Sequence, residues 1–176
     1  MVHTAHGGAV RHARRCDALS ARPNIPALLQ EQILQSLSVH QVETKRLTFT
    51  LDLEDHRPND SYPKRYPGIT REILAFLETR GIEATVFVVG RLAHEEPSLI
   101  REIAECRHEI AFHSFDHIHL TAETPSRFKQ ETSDNKKFIE DLTGKAVIGY
   151  RAPAFSLTQD SLWAVDIIGD LGFSYS

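Results

Sequence analysis

His108-Glu-Ile-Ala-Phe-His-Ser-Phe-Asp-His117 is the stretch whose reading decides the fold. Its first half, 108–112, reads as a strand, and two imidazoles four residues apart follow at its carboxyl end. Chemistry-bearing side chains of α/β folds collect just past the carboxyl ends of strands. With 10 histidines among 176 residues, a pair at this spacing carries little weight alone. Two other runs add that weight. Arg46-Leu-Thr-Phe-Thr-Leu-Asp-Leu53 is strand-like and ends in the acidic cluster Asp52-Leu53-Glu54-Asp55, while Val147-Ile-Gly-Tyr-Arg151 ends in an arginine followed by Ala152-Pro153-Ala154-Phe155-Ser156. Singly, each charged group reads as solvated surface; acid, histidine and arginine at three strand ends together do not. Two imidazoles and a carboxylate can hold a divalent ion with coordination positions left open, and water at such an ion is acidified enough to attack a carbonyl. The pattern points to metal-assisted hydrolysis.

Outward from these runs the chain alternates strand and helix. Ile69, Ile73, Leu74, Phe76 and Leu77 form one helical stripe over 68–80, stopped by Gly81. The β-branched run 83–89 reads as a buried strand ended by Gly90, and Pro97 opens a helix presenting Leu99, Ile100 and Ile103. Thr124-Pro125 is an N-cap with proline at the first helical position, starting a polar helix that stops at Gly144. A helix over 158–171 and an opening strand at 172–176 complete the pattern. Repeated β-α units demand parallel strands, so the fold class is α/β and the loops carrying Asp52, His113 and Arg151 open on one face.

At 176 residues and 41% hydrophobic content, the chain supports one domain. A net charge of −4 and a single dense basic stretch, Arg11 to Arg15, give no basis for a nucleic-acid partner. Cys16 and Cys106 support neither a disulfide framework nor a structural zinc knuckle; Cys106 reads as a small buried or half-buried residue inside a helix. No apolar run is long enough for a membrane span and no signal peptide is visible, so a cytoplasmic location is expected. Residues 1–44, rich in histidine and glycine, read as a poorly ordered extension with room for a short helix at Pro26–Leu34; 45–176 read as the folded domain.

Three segments carry a resemblance: Thr48-Phe-Thr-Leu-Asp-Leu-Glu-Asp-His56, His113-Ser-Phe-Asp-His117 and Tyr150-Arg-Ala-Pro-Ala-Phe-Ser156. In order and spacing they resemble the first three motifs of the polysaccharide deacetylase family (NodB homology, carbohydrate esterase family 4), most closely the subgroup with a spread Asp-x-Glu-Asp first motif. The resemblance implies a distorted (β/α) barrel that removes N-acetyl groups from an amino-sugar oligomer or polysaccharide. It also implies a divalent metal, Zn²⁺ ahead of Co²⁺ or Ni²⁺, held by His113, His117 and one carboxylate. Asp52 is then the base and Arg151 its orienting partner. Glu54 and Asp55 both offer the carboxylate ligand, with Asp55 favoured. Tyr62, Tyr66 and Phe155 are candidate walls for a sugar ring, and His119 a structural or loop-lining residue.

The family's downstream motifs, which supply a histidine acid and a pocket tryptophan, have no counterpart here; Trp163 falls within a helix. The expectation is therefore a barrel incomplete at its C-terminus. Without the general acid, amide hydrolysis slows on the order of a hundredfold, and the alternative function is a non-catalytic metal- or glycan-binding module. Uncovered apolar surface around Phe173 and Tyr175 leads one to expect self-association or poor solubility.

Overall fold

The computed structural model describes residues 47–176; the expected 1–44 extension and its Pro26–Leu34 helix lie outside the described residues. Three parallel strands, β1 (Phe49–Leu53), β2 (Ala84–Val88) and β3 (Glu109–Phe112), pair in chain order. The expected fourth strand contracts to two bridging residues. Gly149 and Tyr150 lie between Phe112 on one side and Tyr175 on the other, so five parallel segments run side by side. Pro153, which has no N–H, and the turn that follows it leave little chain to pair beyond Arg151.

The connections are helical. Helix α1 (Tyr66–Thr79) begins two residues before the apolar stripe, because Pro67 suits a first helical turn. Helix α2 (Gly90–Glu95) was not expected, since Gly90 reads as a stop. Its glycine serves close packing instead: a Cβ there would sit 3.0 Å from Phe115 and 3.1 Å from Phe112. Helix α3 (Pro97–Glu105) follows at once, and Cys106 is the residue that ends it rather than an interior one. Helix α4 (Pro125–Thr143) has the expected caps: the Thr124 hydroxyl accepts from Arg127 N–H, and Gly144 terminates it at φ 67°. A turn at Gln159–Ser161 splits off the start of the last expected helix, leaving α5 (Trp163–Asp170).

Period-two alternation divides the sheet. Leu51, Leu53, Val86, Val88, Ile110, Phe112 and Tyr150 face the helices, joining Leu92, Leu99, Ile100, Ile103 and Ile139 in one core. Each such fully buried aliphatic contributes roughly 1.5–3 kcal/mol of burial free energy. Phe128 packs edge-on against both Tyr150 and Trp163, anchoring α4 and α5 to the fourth segment. Thr50, Asp52, Phe87 and Arg151 lie on the opposite face, where the Arg151 guanidinium stands 3.7 Å above the Phe87 ring. No helix among the described residues is long and apolar enough to cross a membrane.

Gly149 is where the fourth and fifth segments meet most closely, since a Cβ there would lie 2.3 Å from the Tyr175 ring. Gly149→Ala is expected to destabilise the fold by about 1–3 kcal/mol through overpacking. In a Tyr175→Ala background that penalty shrinks. Urea unfolding of the four proteins measures both, and an equal penalty in the two backgrounds would contradict this packing.

Candidate metal and catalytic site

The ladder aligns the strand ends. Leu53 pairs with Val88 and Val88 with Phe112; beyond them Val89 N–H donates to the Leu53 carbonyl at 3.3 Å, His113 N–H to Val88 at 2.9 Å and Arg151 N–H to Phe112 at 2.9 Å. The residues next in sequence therefore emerge at one edge, as parallel connectivity requires. Asp52, Glu54, His113, His117, Arg151 and the almost wholly exposed Phe155 line a cavity there of about 580 Å³. Of the aromatic walls expected, Phe155 lines this cavity; Tyr62 and Tyr66 line a neighbouring one between β1 and α1. His119 lies exposed in the loop before Leu120.

His113 is buried and held at both ring nitrogens. Its Nδ1 lies 2.8 Å from the Arg151 carbonyl oxygen. A carbonyl only accepts, so Nδ1 carries the proton and donates. In the neutral ring Nε2 then has a lone pair, and it faces the Glu54 Oε1 atom at 3.0 Å. His117 Nε2 approaches the same oxygen at 3.1 Å. A lone pair and a carboxylate oxygen at that distance repel unless a cation, either a proton or a metal ion, lies among them. Ligands of a tetrahedral ion bound at about 2.1 Å stand about 3.4 Å apart, close to these separations. The three residues fit a divalent ion by donor type and by spacing, and among the described residues they form the one such cluster.

Asp55, expected as the carboxylate ligand, is not brought to the histidines. Its side chain, 6% exposed, accepts from Arg57 Nε at 2.7 Å and from Arg57 N–H at 3.1 Å. The reason is parity. Thr50, Asp52 and Glu54 share one face of the extended chain, whereas Asp55 follows Leu51 and Leu53 to the other. Counting by twos from Asp52 would have singled out Glu54.

Asp52 accepts a hydrogen bond from the Arg151 guanidinium, and Thr50 Oγ1 accepts from both terminal nitrogens of Arg151 at 3.3 Å. With Phe87 beneath it, the guanidinium is fixed from three directions. The Asp52 Oδ2 atom stands 3.8 Å from His113 Nε2, so Asp52 borders the ligand cluster. His56 lies on the far side, its Nε2 2.8 Å from Glu54 Oε2. Thr50, Phe87 and His56 were not anticipated; for Thr50 the parity count again is the available signal.

The loop carrying the histidines is strained. Ser114 and His117 have φ of 59° and 56°, in the left-handed region that costs a side-chain-bearing residue of order 1–3 kcal/mol. Ala154 and Phe155, in the loop after Arg151, share it at 48° and 54°.

The α/β sheet gathers acid, histidines and arginine at its carboxyl edge, and residues 41–175 match the family described as Polysaccharide deacetylase. The chain belongs to that family. A chitooligosaccharide deacetylase of Azorhizobium caulinodans is 30% identical over 112 residues, covering 63% of this chain and 53% of the relative. A peptidoglycan-N-acetylmuramic acid deacetylase of Bacillus subtilis is 31% identical over 78 residues, covering 44% and 30%. The chain thus spans about half, or less, of the length of these relatives. Among solved structures, a family 4 carbohydrate esterase from Streptomyces lividans superposes with a TM-score of 0.60 at 23% identity, covering 75% of this chain and 62% of that one. A family 4 pseudoenzyme from Bacillus anthracis gives 0.62 at 19% identity, covering 76% and 43%. These likenesses place the sheet in the distorted (β/α) barrel of the polysaccharide deacetylase type.

Burial by itself raises the Asp55 pKa, but the hydrogen bonds and charge of Arg57 outweigh it and hold the carboxyl below its ordinary value of 3.8. A depressed folded pKa contributes stability above the unfolded value that is lost as pH falls through the folded one. Asp55→Asn is therefore expected to lower Tm at pH 7, and the difference from wild type should narrow progressively below about pH 4. Thermal melts across pH 2–7 test this; a difference independent of pH would contradict it.

Proposed function

We propose that this chain is a metal-dependent carbohydrate N-deacetylase acting on an N-acetylated amino-sugar oligomer or polysaccharide. The observation that carries the reading is the meeting of His113 Nε2, His117 Nε2 and Glu54 Oε1 within 4.8 Å of one another, beside the Asp52–Arg151 pair. The named activities of the chitooligosaccharide and peptidoglycan relatives support the substrate class. Exposed Phe155 supports it too, by offering an apolar face to a pyranose ring at the cavity mouth.

His113, His117 and Glu54 hold the ion, and imidazole with carboxylate suits Zn²⁺, with Co²⁺ and Ni²⁺ as substitutes. When bound, such an ion polarises an acyl carbonyl and makes water more acidic. The chain's own residues do the rest. His113 Nδ1–H, committed to the Arg151 carbonyl, fixes the ring so that Nε2 points inward. Asp52, on the cavity side of β1 and bordering the ligand set, takes a proton from the attacking water, and that proton passes to the leaving nitrogen as the acyl C–N bond breaks, giving a carboxylate and a free amine. Arg151 orients Asp52 and, braced by Thr50 and Phe87, keeps it from swinging into the ligand set.

Asp52→Asn is expected to lower acetate release from N-acetylglucosamine oligomers by about 10²–10⁴-fold while leaving zinc content near one per chain. Glu54→Ala and His113→Ala should lose zinc, and Asp55→Asn should retain it. Elemental analysis beside the acetate assay separates these outcomes. Zinc loss in Asp52→Asn, or zinc retained in Glu54→Ala, would overturn the assignment.

A further inference from the structure

His113 and His117 are positioned by different means. His113 is held by its place at the end of β3, by burial and by the ring hydrogen bond to Arg151. The His117 ring has one polar partner among the described residues, Glu54 at 3.1 Å, and its burial is only partial. Its position therefore follows from the Ser114–His117 backbone, which takes two left-handed turns with neither glycine nor asparagine to favour them. Surrounding structure must hold that path.

The holding element is α2. Gly90 N–H donates to the Ser114 carbonyl at 2.8 Å and Arg91 N–H to the Phe115 carbonyl at 3.0 Å. A side-chain ionic anchor adds to these at Asp116, whose Oδ1 accepts from Arg91 Nε at 3.2 Å. The guanidinium is itself oriented, because another of its nitrogens donates to Glu95 at 2.6 Å, and Glu95 pairs with Lys64 at 2.9 Å. A planar fork held at both ends transmits direction in a way that a point charge does not. We propose that Arg91, through Asp116, is a positioning residue for His117, a role that rests on the ligand reading above.

Zn²⁺ affinity by calorimetry and the visible absorption of the Co²⁺-loaded chain test the role, with a His113→Ala/His117→Ala double variant giving the baseline for binding elsewhere. Arg91→Ala and Asp116→Ala are each expected to weaken Zn²⁺ binding about 10–100-fold, the range for partners that orient a ligand, and to alter the cobalt bands. Combining Arg91→Ala with Asp116→Ala should weaken binding no further than either substitution alone, and Arg91→Lys should fall between wild type and Arg91→Ala. Arg71→Ala, which breaks a comparable arginine–carboxylate pair with Glu102 on the surface, should change neither readout. Wild-type affinity and cobalt bands in both Arg91→Ala and Asp116→Ala would overturn the proposal, as would an equal loss in Arg71→Ala. If His117→Ala itself binds Zn²⁺ as wild type does, the ligand reading fails and this role with it.

Discussion

The hydrogen bond from His113 Nδ1–H to the Arg151 carbonyl oxygen is the constraint on which the site depends. It is made across the sheet, from the end of β3 to the end of the fourth segment, and it can form because the parallel ladder brings those ends level. By committing the Nδ1 proton to a backbone acceptor it leaves Nε2 as a lone-pair donor aimed at a carboxylate oxygen. That geometry is unfavourable for two bare acceptors and favourable around a cation. The arginine whose carbonyl accepts this bond also directs its guanidinium to Asp52, so one residue sets the tautomer of His113 and orients the Asp52 carboxylate.

Precision at the site is supplied by the core beneath it. Tyr150, adjacent to Arg151, is fully buried and makes edge contacts with Phe128 and Phe173 and a tilted one with Phe112, so the fourth segment is anchored by aromatic packing although its pairing is short. The left-handed residues Ser114 and His117 depart from this economy. They are sustained where α2 meets the loop, and the same contact explains a glycine at position 90, since a Cβ there would press on Phe115 and Phe112.

Much of this is legible from residue order. The β-branched run ending at Val89, the stripe from Ile69 to Leu77 and the Thr124-Pro125 and Gly144 caps correspond to β2, α1 and α4, because local propensity and tertiary packing agree there. Gly90 misleads, since a glycine chosen for close approach looks like one chosen to end an element. The fourth strand is shorter than its apolar pattern suggests because pairing depends on neighbours rather than on propensity. At the site, residue types past the strand ends identify the cluster, whereas the choice between Glu54 and Asp55 turns on which face each side chain takes. Thr50, Phe87 and Asp116 carry no chemical signature of their own; their parts follow from what the fold sets beside them.

Long-range ¹H–¹⁵N correlation of the histidine rings tests the central claim most directly. The account predicts that His113 in the metal-free chain is protonated at Nδ1 at neutral to alkaline pH, and that one equivalent of Zn²⁺ shifts the Nε2 resonances of His113 and His117 while those of His94, His108 and His119 stay in place. A His113 ring protonated at Nε2 alone, or a zinc-induced shift confined to other histidines, would contradict it.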